Sequence, residues 1–593
     1  MSATSRPTPR RAGRAVARAA ARTPRRRTVA SALVLVLPVL WVLSACVAMP
    51  TSGGVEVGDV EVTDAGPAVV PLADRPAPDA DPQAIVVGFL KASQAGFSRD
   101  PRRGGDFGAA REYLAGDARA SWRPRESVVL YPTSSSPTFT VVNETQVQVT
   151  LSVAARIDAD GRYAEAAPDA EESFTFDLVR DSSDQWRIAG LEDGVVLDES
   201  NFENLFGSAS LYFLTPDDAS LVPETRWFPL RNIATSIVRE LLEGPSPWLR
   251  DSVRSAIPEG VELTPETVPV DETDSTASVG LTEAAALTDS AERARMIAQI
   301  EASLAIPGVR AVEVTAGGVP LTASAAEVGR GVDSDGVLEV VSEDKVVQLK
   351  NGELLPLPAA PDFSARGVHD VARNERGNVR VALSDAGDLV RLGVGDEPPA
   401  TILGGPGLLA PSVDRLGWTW TGRSGPAGLL TAVRADGQLA DVSVPWLAGR
   451  SVTAVRVARD GARVAVLSTG TDGLALDVAG VVRDASGGPL QLGEPLGTGA
   501  TLVDASELVW VDDATLGVLG RSGVATSGAY HLVPLSGRTR MLPALEDAVA
   551  IAGGKGQRSL YVATSDARLF WLPGVNASWT EVATGVRDPY FPG

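Results

Sequence analysis

The side chains that most often do chemistry are scarce in this sequence. Its 593 residues include two histidines, His369 and His531, which lie 162 positions apart, and one cysteine, Cys46. The sequence contains no nucleophile elbow and no pair of histidines at the spacing of a helical zinc site. Acidic residues are numerous, but no spacing among them singles out a general acid and a general base. The sequence therefore predicts no catalytic residue, no metal ligands and no cofactor site.

Three short patterns resemble ligand motifs and are better explained as structure. Residues 158–161 have the start of a calcium loop but lack its later ligands, so a hairpin turn is predicted. Residues 405–410 fit a dinucleotide-binding pattern, but Pro411 and the all-strand surroundings exclude the helix that this fingerprint requires. Trp418 and Trp420 fall on one face of a predicted strand and are predicted to be core.

One pair of opposite charges is placed so that it could act together. Glu224 and Arg226 are two positions apart in a segment with strand character, which puts both side chains on one face. A functional ion pair and a solvated surface pair both fit this spacing. Exposed pairs contribute little and are common, so a surface pair is predicted.

Cys46 is the one residue to which the sequence assigns a covalent role. Residues 1–27 contain nine arginines and no acid, an apolar run follows at residues 33–43, and Ser44 and Ala45 are small. This order is typical of a secretory signal, and the apolar run is shorter than the ~20 residues of a spanning helix. Leu43-Ser44-Ala45-Cys46 resembles a bacterial lipobox. The resemblance implies a lipid on the Cys46 thiol and removal of residues 1–45 as a signal peptide; the alternative is an ordinary signal with a chance cysteine.

Charge excludes one class of partner. After residue 45 the chain has 44 basic and 75 acidic residues, a formal charge of −31. Such a surface repels nucleic acid and anionic headgroups, so no nucleic-acid partner is expected. The two acyl chains on Cys46, rather than a basic patch, are expected to hold the protein at the extracytoplasmic face of the cell membrane.

The chain is too long for one core and divides into three predicted domains after a tether. Residues 46–80 are rich in Pro and Gly and form the predicted tether. In residues 81–206 two predicted helices, the first after Asp81-Pro82 and the second at 109–121, precede alternating strands that predict an antiparallel meander. This α+β domain resembles the nuclear-transport-factor-2-like cone fold.

Residues 208–322 form a second predicted α+β domain with the order strand, helix, strands, helix, strand. It resembles the GerM-type domain of sporulation and germination proteins. The stretches that carry this resemblance are Tyr212-Phe213, Leu221-Val222-Pro223-Glu224, Leu241-Leu242-Glu243-Gly244-Pro245, Ile257-Pro258-Glu259-Gly260 and Val312-Glu313-Val314-Thr315.

Residues 331–593 are predicted to be an all-β propeller. Apolar clusters centred near Glu339, Val381, Leu430, Val466, Val518 and Val562 recur at roughly 45-residue steps, the length of a four-stranded blade. About six blades are expected, closed by pairing the two ends of the repeat region. A pair of β-sandwiches is the alternative. Because the boundary near Gly331 is polar, we expect this domain to fold alone.

Lipobox, tether, two α+β domains and propeller together resemble the actinobacterial LpqB lipoprotein family. The resemblance implies an accessory, non-enzymatic protein that binds the extracellular domain of an MtrB-like sensor kinase, in a two-component system linked to cell-wall metabolism and division. Residues 81–322 are expected to provide most of that contact. Two other functions remain open: an envelope solute- or glycan-binding lipoprotein that uses the N-terminal cone, and a cell-wall hydrolase that uses carboxylates in the propeller funnel.

Overall fold

The structure of the protein is a computed structural model, which describes residues 73–98, 106–326, 328–330, 336–358, 363, 367–393, 397–423, 430–523 and 527–592. The predicted signal peptide 1–45, Cys46 and most of the predicted tether 46–80 lie outside them. Residues 73–80, predicted as tether, already contact the first α+β region. Tyr113 Oη donates a hydrogen bond of 3.1 Å to Asp74 O, and Asp79 N donates one of 2.7 Å to Gln185 Oε1.

The helices of this first region are α1 (Pro82–Ala95), α2 (Gly108–Glu112), α3 (Gly116–Ser121) and α4 (Glu199–Leu205). Helix α1 begins as predicted, because the Asp81 side chain accepts a 2.8 Å hydrogen bond from Ala84 N. The single helix predicted for residues 109–121 is wrong, since α2 and α3 are separate. Between them Ala115 N donates to Ile188 O at 2.8 Å and Ile188 N donates to Tyr113 O at 2.9 Å, so pairing with a strand interrupts the helix.

Two four-stranded sheets complete the region, in the orders β5-β4-β1-β8 and β2-β3-β6-β7. Their strands are β1 (Ser127–Tyr131), β2 (Thr138–Asn143), β3 (Gln146–Ser152), β4 (Ala155–Asp158), β5 (Tyr163–Glu165), β6 (Glu171–Arg180), β7 (Trp186–Gly190) and β8 (Val195–Asp198). The predicted hairpin turn at residues 158–161 is confirmed, because β4 and β5 pair antiparallel across it. The three strands that predicted the antiparallel meander, β3, β6 and β7, pair antiparallel in one sheet. The parallel pair of β1 and β8 was not predicted.

The second region contains two three-stranded sheets, β14-β10-β9 and β11-β12-β13, with helices packed on them. Its elements are β9 (Phe206–Leu214), β10 (Ser220–Pro229), α5 (Ile233–Glu243), α6 (Pro247–Arg250), β11 (Thr276–Leu281), α7 (Ser290–Ser303), β12 (Ala311–Ala316), β13 (Val319–Pro320) and β14 (Gly329–Arg330), with a short 3-10 helix at Glu283–Leu287. The strand character predicted around Glu224 and Arg226 is confirmed, because both lie in one continuous strand, β10. Helix α5 buries Ile237, Val238 and Leu241 at helical spacing.

The third region is built from strands, as predicted. They are β15 (Leu338–Ser342), β16 (Lys345–Lys350), β17 (Glu353–Pro356), β18 (Val368–Arg373), β19 (Arg380–Ser384), β20 (Leu389–Arg391), β21 (Ala400–Leu403), β22 (Ser412–Val413), β23 (Trp418–Gly422), β24 (Leu430–Arg434), β25 (Leu439–Val442), β26 (Ser451–Val457), β27 (Arg463–Gly470), β28 (Gly473–Arg483), β29 (Pro489–Leu492), β30 (Leu496–Thr498), β31 (Leu502–Trp510), β32 (Thr515–Ser522), β33 (Ala529–Pro534), β34 (Arg540–Met541), β35 (Ala548–Ala552), β36 (Leu560–Thr564), β37 (Arg568–Leu572), β38 (Thr580–Thr584) and β39 (Arg587–Tyr590), with a 3-10 turn at Pro445–Leu447.

Over the described residues from 336 to 592, these strands form six successive antiparallel sheets in the arrangement of a propeller. Consecutive strands fill each sheet, except that the first has the order β17-β16-β15-β39. The last strand of the chain therefore completes the first sheet, and Glu339 in β15 lies opposite Tyr590 in β39. Trp418 and Trp420 are buried in the third sheet, as predicted, and residues 405–407 lie in the loop before it.

An acidic or amide side chain organises the turn between the first two strands of several sheets. Asn374 Oδ1 accepts a hydrogen bond from Val379 N at 3.1 Å, and Asp414 Oδ1 accepts one from Trp418 N at 2.9 Å. Asp460 Oδ1 accepts one from Ala462 N at 2.8 Å. These local bonds compete with continued strand pairing and so set where each turn falls.

The second region and the propeller share one hydrophobic core. Leu211 and Ile237 belong to the same buried cluster as Leu467 and Val478 of the propeller, and all four are fully buried. The polar stretch near residue 331 therefore does not mark the limit of the contact between the two regions. None of the helices in the described part of the chain is long and apolar enough to cross a membrane.

Candidate functional site

The two histidines of the sequence lie in different sheets of the propeller and are not brought together. Cys46 lies outside the described residues, so its lipidation stays a prediction. His531 is fully buried in β33, and burial lowers its pKa. His369 is half exposed on β18, in a different sheet, beside Asp370.

Glu224 and Arg226 form a buried ion pair, so the predicted surface pair is wrong. Their side chains are only 4% and 2% exposed. Arg226 Nε and Nη2 donate to the two oxygens of Glu224 at 3.1 and 3.2 Å, in the two-pronged geometry that suits a guanidinium and a carboxylate. Spacing along β10 could place the two side chains together, but it could not show that other regions cover them.

The pair belongs to a larger group, here called the junction cluster: Arg162, Glu224, Arg226, Glu240 and Ser246. Arg226 Nη1 donates to Glu240 Oε2 at 2.8 Å, and Ser246 N donates to Glu224 Oε2 at 3.0 Å. Arg162, from the turn between β4 and β5, donates through Nε to Ser246 Oγ at 2.7 Å. The cluster therefore joins the first α+β region to the second.

The junction cluster contains one carboxyl group with a raised pKa, that of Glu240. Burial raises the pKa of Glu240 to about 7, against the opposing effect of Arg226, and the nearby Asp160 and Glu243 add to the rise. One guanidinium, that of Arg226, thus serves two carboxylates, and Glu240 can take up a proton near neutral pH. Removing one member of such a buried pair costs ~3–5 kcal/mol, because the other charge is left unpaired.

The propeller contacts the second region next to this cluster. Arg463, fully buried at the start of β27, donates through Nη1 to Pro223 O at 3.3 Å and to Asp513 O at 2.7 Å. Its Nη2 also pairs with Asp460 Oδ2 at 2.6 Å. The guanidinium of a propeller strand is therefore bonded to the backbone of β10, one residue before Glu224.

The first region reaches the propeller through polar contacts of its own. Glu165 accepts hydrogen bonds from Thr539 N at 2.8 Å and from Thr539 Oγ1 at 2.6 Å. Trp227 of the second region donates through Nε1 to Ser536 O at 3.0 Å, and its backbone N donates to Gly161 O at 2.7 Å. All three regions meet within this one junction.

A channel lies inside the propeller. Its lining includes residues from the innermost strands β18, β26, β31, β35 and β39, and it encloses about 790 Å³ including its opening. Trp510, Ile551 and Phe591 provide apolar surface, and Arg456 and Glu507 provide charge. Polar and apolar groups contribute about equally to the wall, so charged groups that could orient a ligand lie beside apolar surface.

Carboxylates crowd one part of this channel. Burial raises the pKa of Glu507 to about 7 against the opposing charge of Arg456, whose Nη2 lies 3.8 Å away, and Asp370 and Asp588 raise it further. Burial and the charge of Asp370 also raise the pKa of Asp588. A 2.8 Å hydrogen bond with Asp370 raises the pKa of His369. The group can bind protons, and no set of three or more His, Cys, Asp or Glu side chains in the described residues is arranged to hold a metal ion.

The interior of the first region is largely filled by aromatic rings. Phe89 lies 5.1 Å from Trp122 and 6.0 Å from Phe176, and Trp122 lies 5.7 Å from Phe107, all between ring centroids. The cavity beside Phe89 and Phe176 has a volume of about 20 Å³. Ligand pockets usually measure about 300–1,000 Å³, so the deep apolar pocket expected of a solute-binding cone is not present among the described residues.

The most consequential residues that the sequence interpretation missed are Arg463, Glu165 and Thr539. Arg463 follows the turn that joins the first two strands of a sheet and that recurs from sheet to sheet. The apolar run of a central strand comes directly after it. Arg380 follows the same kind of turn in the second sheet and also pairs with a carboxylate, that of Glu339, so the recurrence of arginine after this turn was the available signal. Glu165 and Thr539 carry no comparable signal, because their contact joins residues 374 positions apart.

The fold and the junction define a class of protein: a multi-domain β-propeller protein with two α+β regions docked on it through buried polar contacts. Family models agree with this division. The chain matches the models of three families: "Lipoprotein LpqB, N-terminal domain" at residues 75–203, "Sporulation and spore germination" at residues 210–322, and "Lipoprotein LpqB beta-propeller domain" at residues 344–592.

Relatives extend the match over nearly the whole chain. A protein of Streptomyces coelicolor named Lipoprotein LpqB is 30% identical, with 93% of this chain and 96% of the relative covered. One of Thermobifida fusca with the same name is 27% identical over 84% and 88%. The chain belongs to the LpqB family of lipoproteins. Among solved structures, the Myceliophteria thermophila Cps50 (Swd1) beta-propeller domain is 11% identical, with 42% of this chain and 87% of that chain covered and a TM-score of 0.27.

Proposed function

We propose that this LpqB-type lipoprotein is held at the extracytoplasmic face of the cell membrane by lipid on Cys46, and that it binds the extracellular domain of an MtrB-like sensor kinase. In this role it is an accessory protein, not an enzyme, and it modulates two-component signalling linked to cell-wall metabolism and division. Family membership and the lipobox support the anchored lipoprotein. The kinase partner is carried over from the LpqB resemblance.

The observation that carries the accessory role is the junction between the three regions. Arg463 bonds the propeller to β10, Arg162 bonds the first region to the junction cluster, and Glu165 bonds the first region to the propeller. Binding of a partner to one region can therefore change the conformation of the other two through contacts that are already formed. Such a linked body suits a protein that alters the state of a receptor.

The kinase is expected to contact residues 81–322. The predicted tether leads directly into this part of the chain, and a sensor domain lies close to the same bilayer, so both are held at a high effective concentration. Because the chain carries −31 charges after residue 45, a basic patch on the partner would speed association, and rising salt should weaken binding.

The test uses the intact mature chain, because separate fragments would expose the shared core. Hydrogen–deuterium exchange is measured on residues 46–593 with and without the purified extracellular domain of the kinase. Protection within residues 81–322 is the expected result. Protection confined to residues 336–592 would overturn the assigned interface, and no protection with no measurable binding would overturn the kinase partner. A sensor domain of similar size and charge from an unrelated kinase is the control.

The alternative of a solute- or glycan-binding lipoprotein is favoured by one observation, the channel inside the propeller, which measures about 790 Å³ with its opening and about 100 Å³ of enclosed cavity. Envelope-derived muropeptides that protect Trp510 and Ile551 from exchange, in the absence of any kinase domain, would support it. Turnover of such muropeptides that is lost in Glu507→Gln would instead support the hydrolase.

A further inference from the structure

The first region contains an unusually charge-poor stretch. From Ser127 to Ala155, 29 residues, the one charged side chain is Glu144, whereas 22% of the whole chain is charged. This stretch includes β1, β2 and β3. A protein that repels its own copies through a large negative charge thus has one extended segment at which that repulsion is locally weak.

Strand β2 lies at the edge of its sheet within this stretch. The sheet order is β2-β3-β6-β7, and among the described residues no hydrogen bond reaches β2 from the side opposite β3. Val141 and Val142 are each 53% exposed. Charged residues, prolines and bulges usually block such edges. Residues 138–141 of β2 contain none of these, since the one irregularity in the β2 register falls at the end of the strand, between Val141 and Asn143.

Two central rows of the outer face beside this edge are uncharged, and the flanking rows carry Glu171 and Asp177 only on β6, two strands away from the edge. Thr138 lies opposite Thr150 and Thr140 lies opposite Gln148 across the β2–β3 pair. On the next strand Ser173 and Thr175 continue the same two rows. A second strand added at the edge would therefore extend a face of hydroxyl and amide groups without placing like charges opposite each other.

We propose that the β2 edge is a self-pairing surface, at which β2 of a second copy of this chain adds in antiparallel orientation. The two-fold contact joins the two four-stranded sheets into one continuous sheet and covers Val141 and Val142 of both copies. A second copy fits this edge because identical uncharged strands meet without electrostatic cost, whereas a strongly basic partner would find no carboxylate on β2.

The contact is small, so its strength depends on tethering. Pairing one short strand buries less than the ~1,000 Å² expected of a stable interface, and free chains in dilute solution should be monomeric. Anchored copies are confined to one plane, which raises their effective concentration and favours the pair.

The test uses the mature chain without Cys46, residues 47–593, which contains no cysteine. An N-terminal hexahistidine tag attaches it to vesicles that contain nickel-chelating lipid. Single cysteines are placed at Thr138 or Thr140, and a short bismaleimide bridges neighbours across the proposed strand pair. Thr580→Cys, on the exposed outer strand β38, is the matched control.

Cross-linked dimer from Thr140→Cys or Thr138→Cys should exceed that from Thr580→Cys at least fivefold at equal surface density. Adding Val141→Lys should reduce it to the control level, while Thr580→Lys in the same background should not. If Val141→Lys lowers the melting temperature, Val142→Lys takes its place. Dimer yields at the two β2 positions that equal the Thr580→Cys control would overturn the proposal, as would yields that Val141→Lys and Val142→Lys leave unchanged. No kinase domain is present, so the outcome is independent of the proposed kinase contact.

Discussion

Tyr590 Oη donates a hydrogen bond of 2.6 Å to Glu339 Oε2, and this bond ties the last strand of the chain to the first strand of the propeller. Glu339 is 1% exposed and also pairs with Arg380 and, at 3.0 Å, with Arg373 Nε. The closure of the ring therefore involves one buried carboxylate, which accepts hydrogen bonds from Tyr590 and Arg380 and forms an ion pair with Arg373. Burial raises the pKa of Glu339, but the hydrogen bond and charge of Arg380, with the charge of Arg373, outweigh burial and hold it below its ordinary value.

Glu339→Ala should destabilise the mature chain by ~3–5 kcal/mol, because Arg373 and Arg380 are left without their buried counter-charge. Tyr590→Phe, which removes the hydrogen bond donated to Glu339 and the one accepted from Arg380, should cost about 2–3 kcal/mol. Denaturant unfolding followed by tryptophan fluorescence measures both. Because the folded pKa of Glu339 is lowered, its contribution is present above the unfolded pKa of about 4.3 and is lost as pH falls through the folded value.

Tyr561→Phe is the matched control, since the Tyr561 side chain is half-buried in the sixth sheet and its hydroxyl has no hydrogen-bond partner among the described residues. It should unfold like the wild type. Equal destabilisation by Tyr561→Phe and Tyr590→Phe would contradict a specific role for the bond to Glu339.

The junction cluster should make stability depend on pH. The pKa of Glu240 is raised to about 7, chiefly by burial, so the folded protein binds a proton there that the unfolded chain releases near pH 4.5. Stability then falls by on the order of 2 kcal/mol as pH rises from 4.5 to 7, and changes little above that. Glu240→Gln keeps a hydrogen-bond acceptor for Arg226 but cannot ionise. Its melting temperature relative to the wild type should therefore be higher at pH 7 than at pH 5.

Glu301→Gln is the control for this prediction, because Glu301 is exposed on helix α7 and is not among the charges that shift the pKa of Glu240. The difference in melting temperature between Glu301→Gln and the wild type should be the same at both pH values. A constant difference for Glu240→Gln as well would show that Glu240 is not the titrating group.

Much of the fold follows from local patterns. Asp81 and Pro82 predict the start of α1, and the alternation around Val147 and Val149 predicts β3. Recurrent turns and apolar clusters indicate the propeller, and both tryptophans of β23 are core. In each case the deciding interaction lies within a few residues, which is why the sequence alone suffices.

The rest depends on contacts between distant residues. Residues 109–121 have helical periodicity, but Ile188 pairs with Tyr113 and Ala115 and divides the helix. Glu224 and Arg226 look exposed along β10, but Arg463, 240 positions after Pro223, covers that strand. Burial by another region leaves no mark on the spacing of the residues that are buried, so it could not be predicted.

The shared core predicts that the propeller is not an independent unit, contrary to what the polar boundary near Gly331 indicates. Fragment 331–593 exposes Leu467 and Val478, which the second region covers in the intact chain. It should be insoluble or melt at least about 10 °C below fragment 208–593, which keeps that contact. Differential scanning calorimetry of the two fragments measures this. Cooperative melting of both fragments at the same temperature would show instead that the propeller folds independently of the second region.

Anchoring depends on the Cys46 thiol, which accepts the lipid if Leu43-Ser44-Ala45-Cys46 functions as a lipobox. Cys46→Ser should abolish labelling by radioactive palmitate, and the protein should either remain uncleaved or leave the membrane fraction. Ser44→Ala is the control, because it keeps a small residue before the cleavage site and should be labelled and fractionate like the wild type. A Cys46→Ser protein that migrates and fractionates like the wild type would show that the cysteine follows an ordinary signal by chance, and that something other than lipid holds this acidic chain at the membrane.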